Sequence, residues 1–285
     1  MALRPGRHTG LVASVRRLAA RLRLAAFVVG FAGLLQGCAT PTERAVAFAD
    51  SHRLRRVVVL GTEFRHVVFL NADRGSKSTL HVYLEGDGSP YLNRWTIAPD
   101  PTPRNPLMLH LMVLDAQPSA YVGRPCYFGL AADSNCTPFD WTLGRFSERV
   151  VASIARAVGD LKDEGRYESI EIYGHSGGGA LAVLVAARVP GVARVVTLAG
   201  NLDPDAWATL HGYTPLTGSL SPVRQGALPT RVAQLHVVGE QDLVVPPWMV
   251  QRAVKQLGST EVVVLPGVKH DCCWGSSWPD LLGRE

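Results

Sequence analysis

Ser169-Ile170-Glu171-Ile172-Tyr173-Gly174-His175-Ser176-Gly177-Gly178-Gly179 is the stretch on which the rest of the chain hangs. Its first five residues read as a strand, and the small apolar residues from Ala180 to Arg188, stopped by Pro190-Gly191, read as a helix. Between them stands a Gly-x-Ser-x-Gly pattern. A serine hydroxyl is a weak nucleophile that needs exposure and a neighbouring base. Small flanking residues allow the sharp strand-to-helix turn that lifts such a hydroxyl above a sheet edge. The same glycines would also suit a helix start packed tightly on the sheet or cradling a phosphate, but no GxGxxG and no Walker lysine stands nearby.

Working outward, strands are expected at Arg56–Leu60, His66–Leu70, Leu80–Leu84, Ala120–Gly123, Val192–Leu198, Arg231–Val238 and Glu261–Leu265. A turn is expected at Asp73-Arg74-Gly75-Ser76. Phe146, Val150, Ile154, Ala157, Val158 and Leu161 recur at helical spacing up to Gly165, and Pro247–Leu257 reads as a second helix. Leu107–Leu114 fits either a helix or a strand. Val/Ile/Leu strands alternating with helices predict an α/β fold with a mostly parallel central sheet and helices on both faces. The closely spaced first strands predict an antiparallel N-terminal edge. Two loops, 86–106 and 124–143, exceed ordinary connection lengths and are expected to line a site.

A base and an orienting acid are needed next. Asp242 lies just beyond the strand ending Val237-Val238-Gly239, and His270 just beyond the one ending Val263-Val264-Leu265. The order Ser176, Asp242, His270, each on a turn after a strand, resembles the α/β-hydrolase family over roughly residues 80–280. The resemblance implies that His270 takes the hydroxyl proton and that Asp242 holds the imidazole tautomer. Glu240, Asp203 and Asp205 are rival acids, and His175 is the rival base nearest the serine. The resemblance also implies an oxyanion hole formed by the backbone N–H groups of Gly177 and Asp87. Here Leu84-Glu85-Gly86-Asp87-Gly88 replaces the family's His-Gly-x pattern, which sets two carboxylates beside a developing negative charge. Tyr91, Trp141 and Trp274 are candidate pocket walls. Gly123-Arg124-Pro125-Cys126, Asp140-Trp141-Thr142 and His270-Asp271-Cys272-Cys273-Trp274 are similar to phrases of exported bacterial hydrolases. The implied activity is carboxylic-ester hydrolysis through an acyl-enzyme, without cofactor or metal, on a small-molecule or lipid-like acyl substrate. An amide, a thioester or an acyl acceptor would use the same triad, and a non-catalytic envelope binding module is the reading of a different class.

Residues 1–37 hold six arginines and no Asp, Glu or Lys, which leaves 23 of the 29 basic residues against 24 acidic ones in the remainder. The net charge of +5 therefore belongs to the leader, and the domain has no basic excess to meet a nucleic acid. The apolar run Leu24–Leu35 is too short to span a membrane and has the layout of a secretory signal. Leu35-Gln36-Gly37-Cys38 resembles a bacterial lipoprotein box, which implies lipid on Cys38 and a membrane anchor. An ordinary cleaved signal or a retained apolar anchor are the alternatives. Ala39 and Thr40 carry no acidic retention signal, so the resemblance implies the outer membrane, facing the periplasm. The expected organisation is signal peptide 1–37, tether 38–54 and hydrolase domain 55–285. Four further cysteines suit an oxidising compartment and allow three pairings, with Cys126–Cys136 expected to close one loop. Cys272 and Cys273 would then be an adjacent disulfide or free thiols. No CxxC spacing supports zinc.

Overall fold

Eight strands form one sheet in the computed structural model, which describes residues 39–71, 78–258 and 261–283. In chain order they are β1 (Arg55–Leu60), β2 (Arg65–Leu70), β3 (Thr79–Leu84), β4 (Ser119–Val122), β5 (Ser169–His175), β6 (Val192–Leu198), β7 (Ala233–Gly239) and β8 (Val262–Leu265). Their spatial order is β1-β2-β4-β3-β5-β6-β7-β8. β1 pairs with β2, and β2 with β4, antiparallel; every other pairing is parallel. The expected mixed sheet is present, with its antiparallel edge at the N-terminal side. The exchange of β3 and β4 in space is set by side-chain packing between distant segments, which periodicity does not encode. The expected turn at Asp73–Ser76, the signal peptide and Cys38 all lie outside the described residues.

The helices are α1 (Pro41–Ser51), α2 (Leu107–Met112), α3 (Glu148–Glu164), α4 (Gly177–Ala186), α5 (Pro204–His211), α6 (Pro222–Gln225), α7 (Pro247–Gln256) and α8 (Trp278–Leu282). α3 is amphipathic: Val150, Val151, Ile154, Ala157, Val158 and Leu161 are buried while its charged residues face outward. α4 is different, because all ten of its residues are buried. Its small residues let it lie directly against β5 and β6. The ambiguous run Leu107–Leu114 resolves as α2, with Met108, Leu109, Leu111 and Met112 buried.

The tether expected at 38–54 needs correction. Pro41–Ser51 is a helix with Ala45 and Ala49 buried, and Thr42 Oγ1 donates to Asp100 Oδ2 at 3.0 Å. Two small residues four apart give this short helix a packing face that a tether would lack. The stretch belongs to the same compact unit as the sheet, which starts at Pro41. The 126–136 loop is closed by a disulfide between Cys126 and Cys136, with Cα atoms 5.7 Å apart. Cys272 and Cys273 are also joined.

Candidate active site

β5 runs straight into Ser176, whose backbone has φ 54° and ψ −120°. A non-glycine residue held at positive φ costs about 1–3 kcal/mol and persists only where its surroundings enforce it. The flanking glycines show what enforces it here. A Cβ on Gly174 would lie 2.2 Å from the Gly178 carbonyl oxygen, and one on Gly178 would lie 2.2 Å from that of Leu84. Any side chain at either position would push the turn off the sheet.

The C-terminal ends of β7 and β8 bring two more groups to the same place. Ser176 Oγ lies 3.0 Å from His270 Nε2, and His270 Nδ1 lies 2.8 Å from Asp242 Oδ2. Asp242 is buried, and its other oxygen accepts from the backbone N–H groups of Val244 and Val245, each at 2.8 Å. With the carboxylate so held, Nδ1 carries the imidazole proton and Nε2 is left to accept from the serine hydroxyl. The His270 backbone is pinned as well, because its carbonyl accepts from His175 Nε2 at 2.8 Å and Trp274 Nε1 at 2.9 Å.

The rivals have other employment. His175 spends its Nε2 on the His270 carbonyl, and burial, with His270 beside it, pulls its pKa down to about 4. Asp203 caps α5 by accepting from Ala206 N, Asp205 pairs with Arg224 at 2.8 Å, and Glu240 is exposed and accepts from Gly267 N.

The loop after β3 lies beside the serine: a Cβ built on Gly86 would stand 3.4 Å from the Ser176 Cβ. Asp87 is held on three sides. Its carbonyl accepts from Tyr127 Oη at 2.8 Å, Oδ1 from Arg124 Nη1 at 2.7 Å and Oδ2 from Arg145 Nη1 at 2.6 Å. Burial would raise its carboxyl, but the Arg145 and Arg124 guanidiniums outweigh that and hold it below the usual carboxylate range. The Gly86 N–H is taken by Glu85 Oε1, whereas the Asp87 and Gly177 N–H groups meet no acceptor among the described residues. Glu85 is turned inward: it also accepts from Met108 N, and burial pushes its carboxyl up to about 7. The two acidic side chains beside the serine are thus one neutralised by arginines and one whose ionisation is opposed by burial.

Arg124, Arg145 and Tyr127 were not among the expected site residues. The only sequence signal was the phrase around Gly123-Arg124-Pro125. Of the candidate walls, Trp274 and Trp141 are buried, while Tyr91 is exposed on the loop after β3. Among the described residues, no three His, Cys, Asp or Glu side chains converge as metal ligands would.

A mostly parallel sheet with a strained serine at the end of β5, and an acid and a histidine after β7 and β8, is a known architecture. An esterase of Pyrococcus furiosus superposes with a TM-score of 0.59 at 13% identity, covering 87% of this chain and 94% of its own.

The fold is that of the α/β-hydrolases.

Two further α/β-hydrolase folds agree. A lidless serine hydrolase of Xanthomonas campestris gives a TM-score of 0.51 at 14% identity, covering 81% and 90% of the two chains. A protein of Agrobacterium tumefaciens of unknown function gives 0.51 at 14%, covering 80% and 92%. No protein-family model matches the chain, and no curated protein is significantly similar to it in sequence. At such identities the likeness speaks for the α/β-hydrolase fold alone.

Proposed function

We propose that the protein is a serine hydrolase that cleaves a carboxylic ester. The observation that carries this reading is the hydrogen-bonded chain from Ser176 Oγ through His270 to the buried Asp242. In the proposed cycle Ser176 Oγ attacks the ester carbonyl carbon as its proton passes to His270 Nε2. The charge that develops on the carbonyl oxygen is met by the N–H groups of Gly177 and Asp87. Collapse breaks the ester C–O bond, and the departing alkoxide takes the proton from His270. A water then attacks the acyl-enzyme with His270 again as base, and the acid leaves. Asp242 stabilises the imidazolium in both halves. Two arginines beside the Asp87 carboxylate remove the objection that an acidic residue should repel an oxyanion. Ester over amide or thioester is the commonest use of such a site. Cys38 carries the lipid that holds the enzyme at the cell envelope.

A fluorophosphonate probe tests the reading. The wild-type protein should be labelled and Ser176→Ala should not. An unreactive wild type would overturn it in favour of a non-catalytic binding module.

A further inference from the structure

Part of the loop after β3 is a hairpin that buries Ala98 but leaves its large apolar side chains exposed. Leu92 N donates to Thr96 O and Ala98 N to Pro90 O, each at 2.9 Å, and Tyr91 pairs with Ile97. At the tip, Asn93 Oδ1 accepts from the N–H groups of Trp95 and Thr96. Backbone bonds hold its shape, and its large apolar side chains are left outside. Trp95 is 83% exposed, Leu92 56%, Ile97 41% and Tyr91 39%. From Ser89 to Pro99 there is no acidic residue, and the single charge, Arg94, lies over the Trp95 ring at 5.2 Å. Aromatic rings with aliphatic neighbours and one arginine suit the boundary between acyl chains and lipid phosphates.

The position of this hairpin matters as much as its composition. Its base is tied down by Ser89 N donating to Pro101 O at 2.8 Å. Next to that base, Asp100 and Thr102 meet Thr42 Oγ1 at 3.0 and 3.3 Å. Thr42 follows Cys38 by four residues, which extended chain covers in about 14 Å. A lipid on Cys38 therefore keeps the hairpin base close to the bilayer surface. The other end of the same loop is Gly86-Asp87, beside Ser176. Leu243 and Trp248, on the chain just after Asp242, are 83% and 50% exposed.

We propose that the hairpin Pro90–Ala98 is a second membrane contact. Trp95 and Leu92 enter the leaflet that carries the Cys38 lipid, and Arg94 meets its phosphates. Ser176 then opens toward the bilayer and takes acyl esters dissolved in it rather than water-soluble ones. The substrate clause rests on the hydrolase reading, and the docking clause rests only on the lipid proposed for Cys38.

The test uses the full-length protein on vesicles of phosphatidylethanolamine and phosphatidylglycerol. An environment-sensitive fluorophore is placed at Leu92→Cys and, as reference, at Arg156→Cys on the exposed face of α3. Spin-labelled lipid should quench the label at 92 several-fold more strongly than the label at 156. Equal quenching overturns the docking, and so does a label at 92 that is already shielded from water before vesicles are added. In the second arm, a Leu92→Glu/Trp95→Glu variant should lose at least tenfold in hydrolysis of a long-chain ester held in the vesicles. Its turnover of a short soluble ester should be unchanged; an equal loss on both overturns the substrate clause. Quenching at 92 with a Ser176 that ignores fluorophosphonate would keep the docking and sink the hydrolase reading.

Discussion

Arg145 Nη1 donates to Asp87 Oδ2 across 2.6 Å, joining a buried guanidinium to the loop beside Ser176. Arg124 holds the other oxygen, so one carboxylate stands between two buried cations. Asp87→Asn would keep the shape and remove the charge, leaving both guanidiniums uncompensated. Breaking a buried pair in this way costs about 3–5 kcal/mol. The expected outcome is a large fall in Tm, together with a lower kcat as the 86–88 loop loosens. A variant with wild-type Tm would show that the charges are not coupled as the geometry implies.

Asp242 holds His270 through a single oxygen while two backbone N–H groups fix the other. Asp242→Asn should therefore favour the wrong imidazole tautomer and cut kcat by about 10⁴ with the fold intact. Steady-state kinetics on a soluble ester, with circular dichroism as the fold control, would check it. Turnover within tenfold of wild type would assign the acid elsewhere.

Gly178→Ala places a methyl group against the Leu84 and Glu85 carbonyl oxygens, at 2.2 and 2.6 Å from an unrelaxed Cβ. Both neighbours are backbone and belong to a fully buried stretch. The turn must shift, so activity should fall by more than a hundredfold, and stability should drop by about 1–3 kcal/mol as in other overpacked cores. Denaturant melts and ester turnover read the two effects separately.

His66, His175 and His236 are buried, and burial pulls each imidazole down to about 4. The unfolded chain takes up protons below 6.5 that the folded chain refuses until about 4. Their contribution to stability is full above 6.5 and is lost as pH falls through that window. Glu85 runs the other way. Its carboxyl, raised from 4.5 to about 7, adds stability that is full below 4.5 and lost as pH rises to about 7. Three groups outweigh one, so Tm should fall between pH 6.5 and 4.5, each net proton contributing about 1.4 kcal/mol per pH unit. His236→Leu should flatten the slope; a Tm that is level or rises on acidification would contradict the assignment.

The Cys126–Cys136 disulfide closes a loop with a sequence separation of 10. Cys126→Ala/Cys136→Ala should lower stability by about 2–3 kcal/mol on loop entropy. Equilibrium unfolding of the double variant measures it, and no change would mean that the loop is already ordered by other contacts.

Much of the site was legible because it rests on local rules. A strand, a glycine-flanked turn and a small-residue helix follow from backbone sterics within a few residues of Ser176. The order of Asp242 and His270 after later strands follows from chain connectivity. Other features were not legible. α5, α6 and α8 are short elements whose periodicity is too brief to stand out, and α1 was hidden behind the expectation of a tether.

The sequence by itself determined the mostly parallel sheet class, the glycine-flanked turn after β5 and the placement of Ser176, Asp242 and His270 just beyond strands. Only the tertiary structure decided that β4 lies between β2 and β3, and that Arg124 and Arg145 close on Asp87 from 37 and 58 residues away. It also decided that Thr42 meets the base of the Trp95 hairpin. The physical reason is range. Dihedral preferences and hydrophobic period act over a turn or a strand, whereas a buried ion pair depends on packing that brings distant segments together.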